Sequence, residues 1–181
     1  MTDLTKDELR TLKAKALSDT EIREALDNNV NIIKYDEIPQ YKSLSQLLGR
    51  SGRCVILFEL KENNGHWCSI VEVNNGKEHC IIFTDPYGLY PENELSYVPV
   101  AFRKISHEDR GFLLRLFKYS PLQVRYSQYR LQKMKNGINT CGRYAIIRCA
   151  IQDMDEDQFN KFLRSTKYSP DDVVTMLTYD V

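Results

Sequence analysis

The stretch RCVILFELKENNGHWCSIVEVNNGKEHCIIFT, residues 53–84, holds three runs of β type: Arg53–Leu60, Trp67–Val73 and Glu78–Thr84. Asn63-Asn64-Gly65 and Asn74-Asn75-Gly76 separate them. Asn-Gly pairs accept the positive φ that tight hairpins need, so the stretch predicts an antiparallel meander. Downstream, Pro86, Gly88 and Pro91 force a loop. Ser106 is placed to cap a helix running to about Tyr119, and Gln123–Ser127 reads as a further strand. The polar, glycine-containing segment Gln132–Thr140 reads as loop and Cys141–Gln152 as helix. Asp155 caps the next helix, to about Arg164. Ser169 followed by Pro170 opens the last, because proline fits a first helical turn. Upstream, Ser43–Leu48 reads as a short helix. The first thirty residues read as helical, cut by the capping boxes Thr5/Glu8 and Ser18/Glu21. The order helices, sheet, helices predicts an α+β fold, a small mixed or antiparallel sheet packed by helices. One domain is expected over residues 1–181, with 1–30 a helical N-terminal segment and 53–152 the core.

A chain of 181 residues buries a sizeable core without disulfides. Its 25 basic residues balance its 25 acidic ones, which gives no support for a nucleic-acid protein. No apolar stretch approaches membrane-spanning length and no signal peptide is evident, so neither a membrane nor secretion is expected. The five cysteines form no CxxC pair. Neither a metal site nor a disulfide framework is indicated, and a reducing compartment with at least one free thiol is expected.

Within this frame Asn139-Thr140-Cys141-Gly142 stands out, where an irregular polar segment turns into an almost wholly apolar run. A cysteine in an apolar helix is usually a small core residue, and Cys54, Cys68, Cys80 and Cys149 fit that reading. Cys141 differs because it opens the helix, where unpaired N–H groups and the positive dipole end favour a thiolate. Gly142 beside it lets another backbone or a substrate approach closely. Upstream, His66 sits between Gly65 and Trp67 at the expected start of a strand, and the indole is placed to wall a substrate channel. His79 and His107 read as ordinary strand and helix-start residues. Asp85, at the end of the next strand, follows His66 by about one hairpin, and adjacent antiparallel strands bring such side chains together. The bland reading of Asp85-Pro86 is turn initiation. A histidine, an aspartate and a cysteine at element ends are the parts of a thiol protease. Such an enzyme also needs donors for the oxyanion. Gln132, nine residues before Cys141, is the candidate, with Gln128 and Gln123 competing.

With these residues assembled, the chain resembles the adenain/Ulp1-type cysteine proteases, which include SUMO-processing enzymes and proteases of adenoviruses, large DNA viruses and virophages. The shared order is His-Trp, then an acid, then Gln, then Cys-Gly. It appears here as Gly65-His66-Trp67, Asp85-Pro86-Tyr87-Gly88, Gln132 and Thr140-Cys141-Gly142. In the papain pattern the cysteine precedes the histidine, and that order is absent. The resemblance spans roughly residues 53–152. It implies Cys141 as nucleophile, His66 as base and then acid, Asp85 as orienter of the imidazole, and Gln132 at the oxyanion hole, with no cofactor. In the SUMO-protease branch the glutamine lies closer to its cysteine. That departure, the compact size and the Asp-Pro-Tyr-Gly block look most like capsid-maturation proteases of virophages and giant viruses.

The expected function is therefore a cysteine endopeptidase that cuts viral capsid or other structural precursors, after glycine, in the virion and the cytoplasmic viral factory of the infected cell. A peptide activator is known among adenovirus-type relatives. The rival readings are an isopeptidase for SUMO- or ubiquitin-like modifiers, an acyltransferase using the same three groups, and a non-enzymatic capsid-binding protein.

Overall fold

The computed structural model describes residues 4–61, 64–97 and 111–181. Its centre is a five-stranded mixed sheet in the order β1-β2-β3-β4-β5. The strands are β1 Asn31–Lys34, β2 Arg53–Lys61, β3 Asn64–Asn74, β4 His79–Thr84 and β5 Gln123–Ser127. The β2-β3-β4 meander is antiparallel as expected, and it is extended by a parallel strand on each side, β1 on β2 and β5 on β4. Strand β1 was not read from the sequence. The turn of the second hairpin is built by Asn75, whose side-chain oxygen accepts from the N–H groups of Lys77 (3.0 Å) and Glu78 (3.1 Å), with Gly76 at φ +80°.

Seven α-helices surround the sheet among the described residues: α1 Lys6–Ala14, α2 Asp19–Ala25, α3 Leu44–Leu48, α4 Phe112–Lys118, α5 Cys141–Ala150, α6 Glu156–Leu163 and α7 Pro170–Leu177. Capping boxes at Thr5/Glu8, Ser18/Glu21, Asp155/Gln158 and Ser169/Asp172 start four of them by satisfying otherwise orphaned N–H groups. Two 3-10 turns, Tyr35–Gln40 and Asn93–Tyr97, complete the elements. The expected cap Ser106 and His107 lie outside the described residues, and α4 is described from Phe112. None of these helices is long and apolar enough to cross a membrane.

Alternation along the strands sends side chains to two cores. On one face Cys54, Ile56, Phe58, Ile70 and Phe83 meet α3, α4 and the first 3-10 turn. On the other, Val55, Leu57, Trp67, Val71 and Ile82 meet α2 and one side of α5. The far side of α5 packs Tyr144 and Ile147 on α6 and α7. Helix α5 is thus buried all round, which is why its sequence is so apolar. Its two arginines are buried as well. Arg143 spends its guanidinium on the carbonyl and hydroxyl of Thr178 at the end of α7, and Arg148 on the carbonyls of Ile151 (3.2 Å) and Met154 (2.8 Å) just beyond α5. Cations at helix C-termini are favoured there by the orphan carbonyls.

The first hairpin differs in detail from the expectation. Strand β3 begins at Asn64, so His66 lies inside the strand and not at its start. A register shift between Glu59 and Lys61 bends β2 opposite Gly65. A Cβ on Gly65 would sit 1.9 Å from the Phe58 carbonyl oxygen and 2.8 Å from Glu59 Cα. Both are backbone atoms and cannot swing away. Gly65→Ala is therefore expected to destabilise the fold by about 3 kcal/mol, the upper range for overpacking, and to displace His66. Urea unfolding checks this, and an unchanged midpoint would contradict the close approach.

Candidate active site

The β3–β4 register pairs Ser69 with Thr84, which leaves Asp85, the first residue beyond β4, diagonal to His66. Diagonal neighbours lie within reach of long side chains. His66 Nε2 lies 2.7 Å from Asp85 Oδ1, inside the protein, with Asp85 fully buried. The same carboxylate oxygen accepts the Tyr87 N–H at 2.8 Å, and the Gly88 N–H closes the turn onto the Asp85 carbonyl at 2.8 Å. The Asp-Pro-Tyr-Gly block is thus a turn whose purpose is visible: it fixes the carboxylate and lays the Tyr87 ring on the imidazole, centroids 4.5 Å apart and 10° from parallel.

Cys141 approaches from α5 on the opposite face and forms a hydrogen bond with His66. With Nε2 taken by Asp85, this contact falls to Nδ1. Burial pushes the thiol up, but the hydrogen bond and charge of His66, with the N–H groups of Trp67 and Gly142, outweigh it and leave the thiol below its usual value. For His66 burial works downward, and the hydrogen bonds to Asp85 and Cys141 outweigh it, so the imidazole is raised. The two directions have one shared cause, the mutual contact of the thiol and the imidazole, and each group favours the charged form of the other. By contrast, burial raises Cys54, Cys80 and Cys149, the last to about 12. His79, on the surface, pairs with Glu72 at 2.6 Å.

The loop before α5 is strapped to the same turn. Leu131 and Gln132 both donate their N–H groups to the Pro86 carbonyl, each at 2.9 Å. Gln132 is buried, its Nε2 reaching Tyr87 Oη (3.3 Å) and the Ile138 carbonyl (3.4 Å). Of the three candidate glutamines, Gln132 adjoins His66 through Tyr87. Gln128 faces outward onto Tyr90 Oη (2.7 Å), and Gln123 pairs with Cys80, at the far end of β4.

Trp67 donates its indole N–H to the Leu17 carbonyl at 3.0 Å and lines a cleft of about 500 Å³ that opens beside Cys141. Leu57, Gly65, Ile32 and Lys34 form further parts of its wall. Gly142 does not face this space. A Cβ there would meet Leu17 Cβ at 3.1 Å, Ile22 Cδ1 and Trp67 Cδ1, both at 3.3 Å. Its bare face lets the N-terminal segment close over the start of α5, and its N–H helps to lower the Cys141 thiol.

Sequence reasoning missed Asp171, an acid in the first turn of α7 with the look of an ordinary dipole partner. It is buried, and accepts from Thr140 Oγ1 (2.7 Å), the Lys133 N–H (3.1 Å) and Tyr144 Oη (3.2 Å). It therefore holds the residue before Cys141 and the residue after Gln132 together. Asp171→Ala leaves the buried Thr140 hydroxyl without its acceptor and takes one partner from the Lys133 N–H and from Tyr144 Oη, which keeps the Leu131 carbonyl, and is expected to cost about 2 kcal/mol of stability. A thermal unfolding scan reads this, and an unchanged midpoint would contradict the clamp.

No protein-family model matches the chain. The uncharacterized protein V9 of Sputnik virophage is 38% identical over 176 residues, covering 94% of this chain and 98% of V9. Among solved structures, the ASFV pS273R protease superposes with a TM-score of 0.50 at 15% identity, over 93% of this chain and 68% of that one. Identity at that level speaks for the fold, and the fold is the one that the His-Trp, Asp, Gln and Cys-Gly order implied. The chain belongs to the family of the virophage V9 protein, and its fold is that of the Ulp1-type viral cysteine proteases.

Proposed function

We propose that the protein is a cysteine endopeptidase that processes capsid or other structural precursors of a virus. The observation that carries this reading is the buried His66–Asp85 pair at 2.7 Å with the Cys141 thiol hydrogen-bonded to the same imidazole. Cys141 attacks the scissile carbonyl. His66 carries the thiol proton and delivers it to the leaving amine, then takes a proton from the water that releases the acyl group. Asp85 holds the imidazole in orientation and stabilises its charged form. The N–H groups at the start of α5 and the Gln132 amide serve the oxyanion. Trp67 and Leu17 wall the cleft beside Cys141 and keep the passage narrow, which favours glycine immediately before the cut. Structural precursors are processed during assembly, so the protein's place of work is the virion and the viral factory of the infected cell.

The test is mass spectrometry of capsid proteins after co-expression with the wild type and with Cys141→Ala. New termini after glycine in the first case only are expected; identical termini in both would contradict the reading. A folded modifier needs a broad surface, typically ~800 Å² on each partner. Here Leu17, Ile22 and Leu26 are already committed to covering the sheet. A short peptide spanning the site is therefore expected to be cut about as efficiently as the intact precursor. Modifier fusions should stay within about tenfold of an unrelated fusion with the same tail. A fusion processed hundreds of times faster than its isolated tail would favour the isopeptidase instead.

A further inference from the structure

The catalytic groups have a neighbour that the protease chemistry does not use. Cys68 stands two residues after His66 on β3, so its side chain leaves the strand on the same face. Donor atoms of His66, Cys68 and Asp85 all lie within 4.8 Å of one another, and all three residues are buried. The second carboxylate oxygen of Asp85, Oδ2, has no hydrogen-bond partner among the described residues. An imidazole, a thiol and a carboxylate at this spacing form the mixed N, S, O donor set of zinc.

We propose that His66, Cys68 and Asp85 form a zinc-binding site within the catalytic centre, and that occupancy by Zn²⁺ switches the enzyme off reversibly. The inference rests on the triad assigned above. Three points of chemistry support it. First, bond lengths of 2.0–2.3 Å around a tetrahedral zinc put donors about 3.3–3.7 Å apart, so the cluster reaches that geometry by shifts of about 1 Å. Second, the exchange is balanced. Zn²⁺ enters, His66 loses its Nε2 proton and Cys68 its thiol proton, and both protons pass to solvent. The carboxylate and the new thiolate neutralise the dication, so the buried site keeps its net charge, and no unpaired ion is created. Third, the exchange disables catalysis without engaging the nucleophile. Zinc on Nε2 removes the hydrogen bond to Asp85, and the imidazole keeps its Nδ1 proton towards Cys141 as a neutral, far weaker acid. It then cannot serve the leaving amine. Because two protons leave, affinity falls as pH falls.

The experiment titrates the full chain with cobalt(II), a coloured stand-in for zinc, in the absence of substrate. The wild type should bind one equivalent with a thiolate-to-cobalt charge-transfer band. Cys141→Ala should keep that band, and Cys68→Ser should weaken binding at least tenfold, since even outer-sphere partners of a metal are worth ~10–100-fold. X-ray absorption of the zinc-loaded wild type and Cys141→Ala counts sulfur ligands directly, so the answer does not depend on the Cys68 variant folding. One sulfur in both proteins is the expected result. A sulfur that disappears in Cys141→Ala places the metal on the nucleophile and overturns the site, as does the absence of sulfur or of binding at micromolar metal. None of these readouts uses peptide cleavage, so a failed metal site and a failed protease assignment give different results.

Discussion

Replacing Cys141 with alanine is expected to abolish peptide cleavage while the chain remains folded. The thiol is the only one whose surroundings lower its pKa among those with a resolved shift, and the lowering comes from His66 and from the N–H groups of Trp67 on β3 and Gly142 on α5. Removing one member of such a triad typically costs ~10⁴-fold or more in rate, because the remaining groups then lack a nucleophile. The packing of α5 does not depend on the sulfur: Ala145, Ile146 and Cys149 fill the sheet face, and Tyr144 and Ile147 the other. The control is Cys149→Ala, on the same helix, with a thiol pushed up to about 12 by burial. It should retain most of the activity wherever it folds. Cleavage by a folded Cys141→Ala protein at the wild-type rate would remove the protease assignment.

His66→Ala is expected to be as damaging as the loss of the thiol. The substitution removes the proton acceptor and the positive charge that offsets the burial of a thiolate, so the remaining Cys141 reverts to a buried, protonated thiol. Asp85→Asn should be milder. The amide still offers an oxygen to the Tyr87 N–H, which keeps the turn, but it withdraws the charge that stabilises the imidazolium. Comparison of kcat/KM for the two variants reads the difference. Asp85→Asn falling below His66→Ala would mean that the carboxylate does more than orient the ring.

The meander and the flanking helices were legible because their signals are local: Asn-Gly turns, capping boxes, and proline after Ser169. Strand β1 was not, since four residues, Asn-Ile-Ile-Lys, carry neither an alternation long enough to count nor turn chemistry of their own. Its place is set by parallel pairing with β2. The order of His66, Asp85, Gln132 and Cys141 pointed to one site, and the structure brings the four to the end of the sheet where β3, the turn after β4 and α5 converge. The sequence leaves Gln128 and Gln123 as competitors of Gln132. The choice among them depends on the Pro86 carbonyl, which accepts from two successive N–H groups of the Gln132 loop, a long-range contact without a local signature. Gly142 shows the same limit. A missing Cβ announces a close approach, but only packing shows that Leu17 and Ile22 make it. The buried arginines of α5 and the Asp171 clamp depend likewise on elements far away in the chain.

The proposed chemistry depends on Cys141 as a thiolate held by His66. The most direct measurement is the pH dependence of Cys141 alkylation by iodoacetamide, followed by mass spectrometry of the peptide that carries it, in the wild type and in His66→Ala. Because the wild-type thiol is lowered, its reactivity should survive well below the free-thiol value of about 8.5 and fall only on further acidification. In His66→Ala the midpoint should move upward, to the free-thiol value or beyond it as burial takes over. Equal midpoints in the two proteins would contradict the ion pair and, with it, this account of the site.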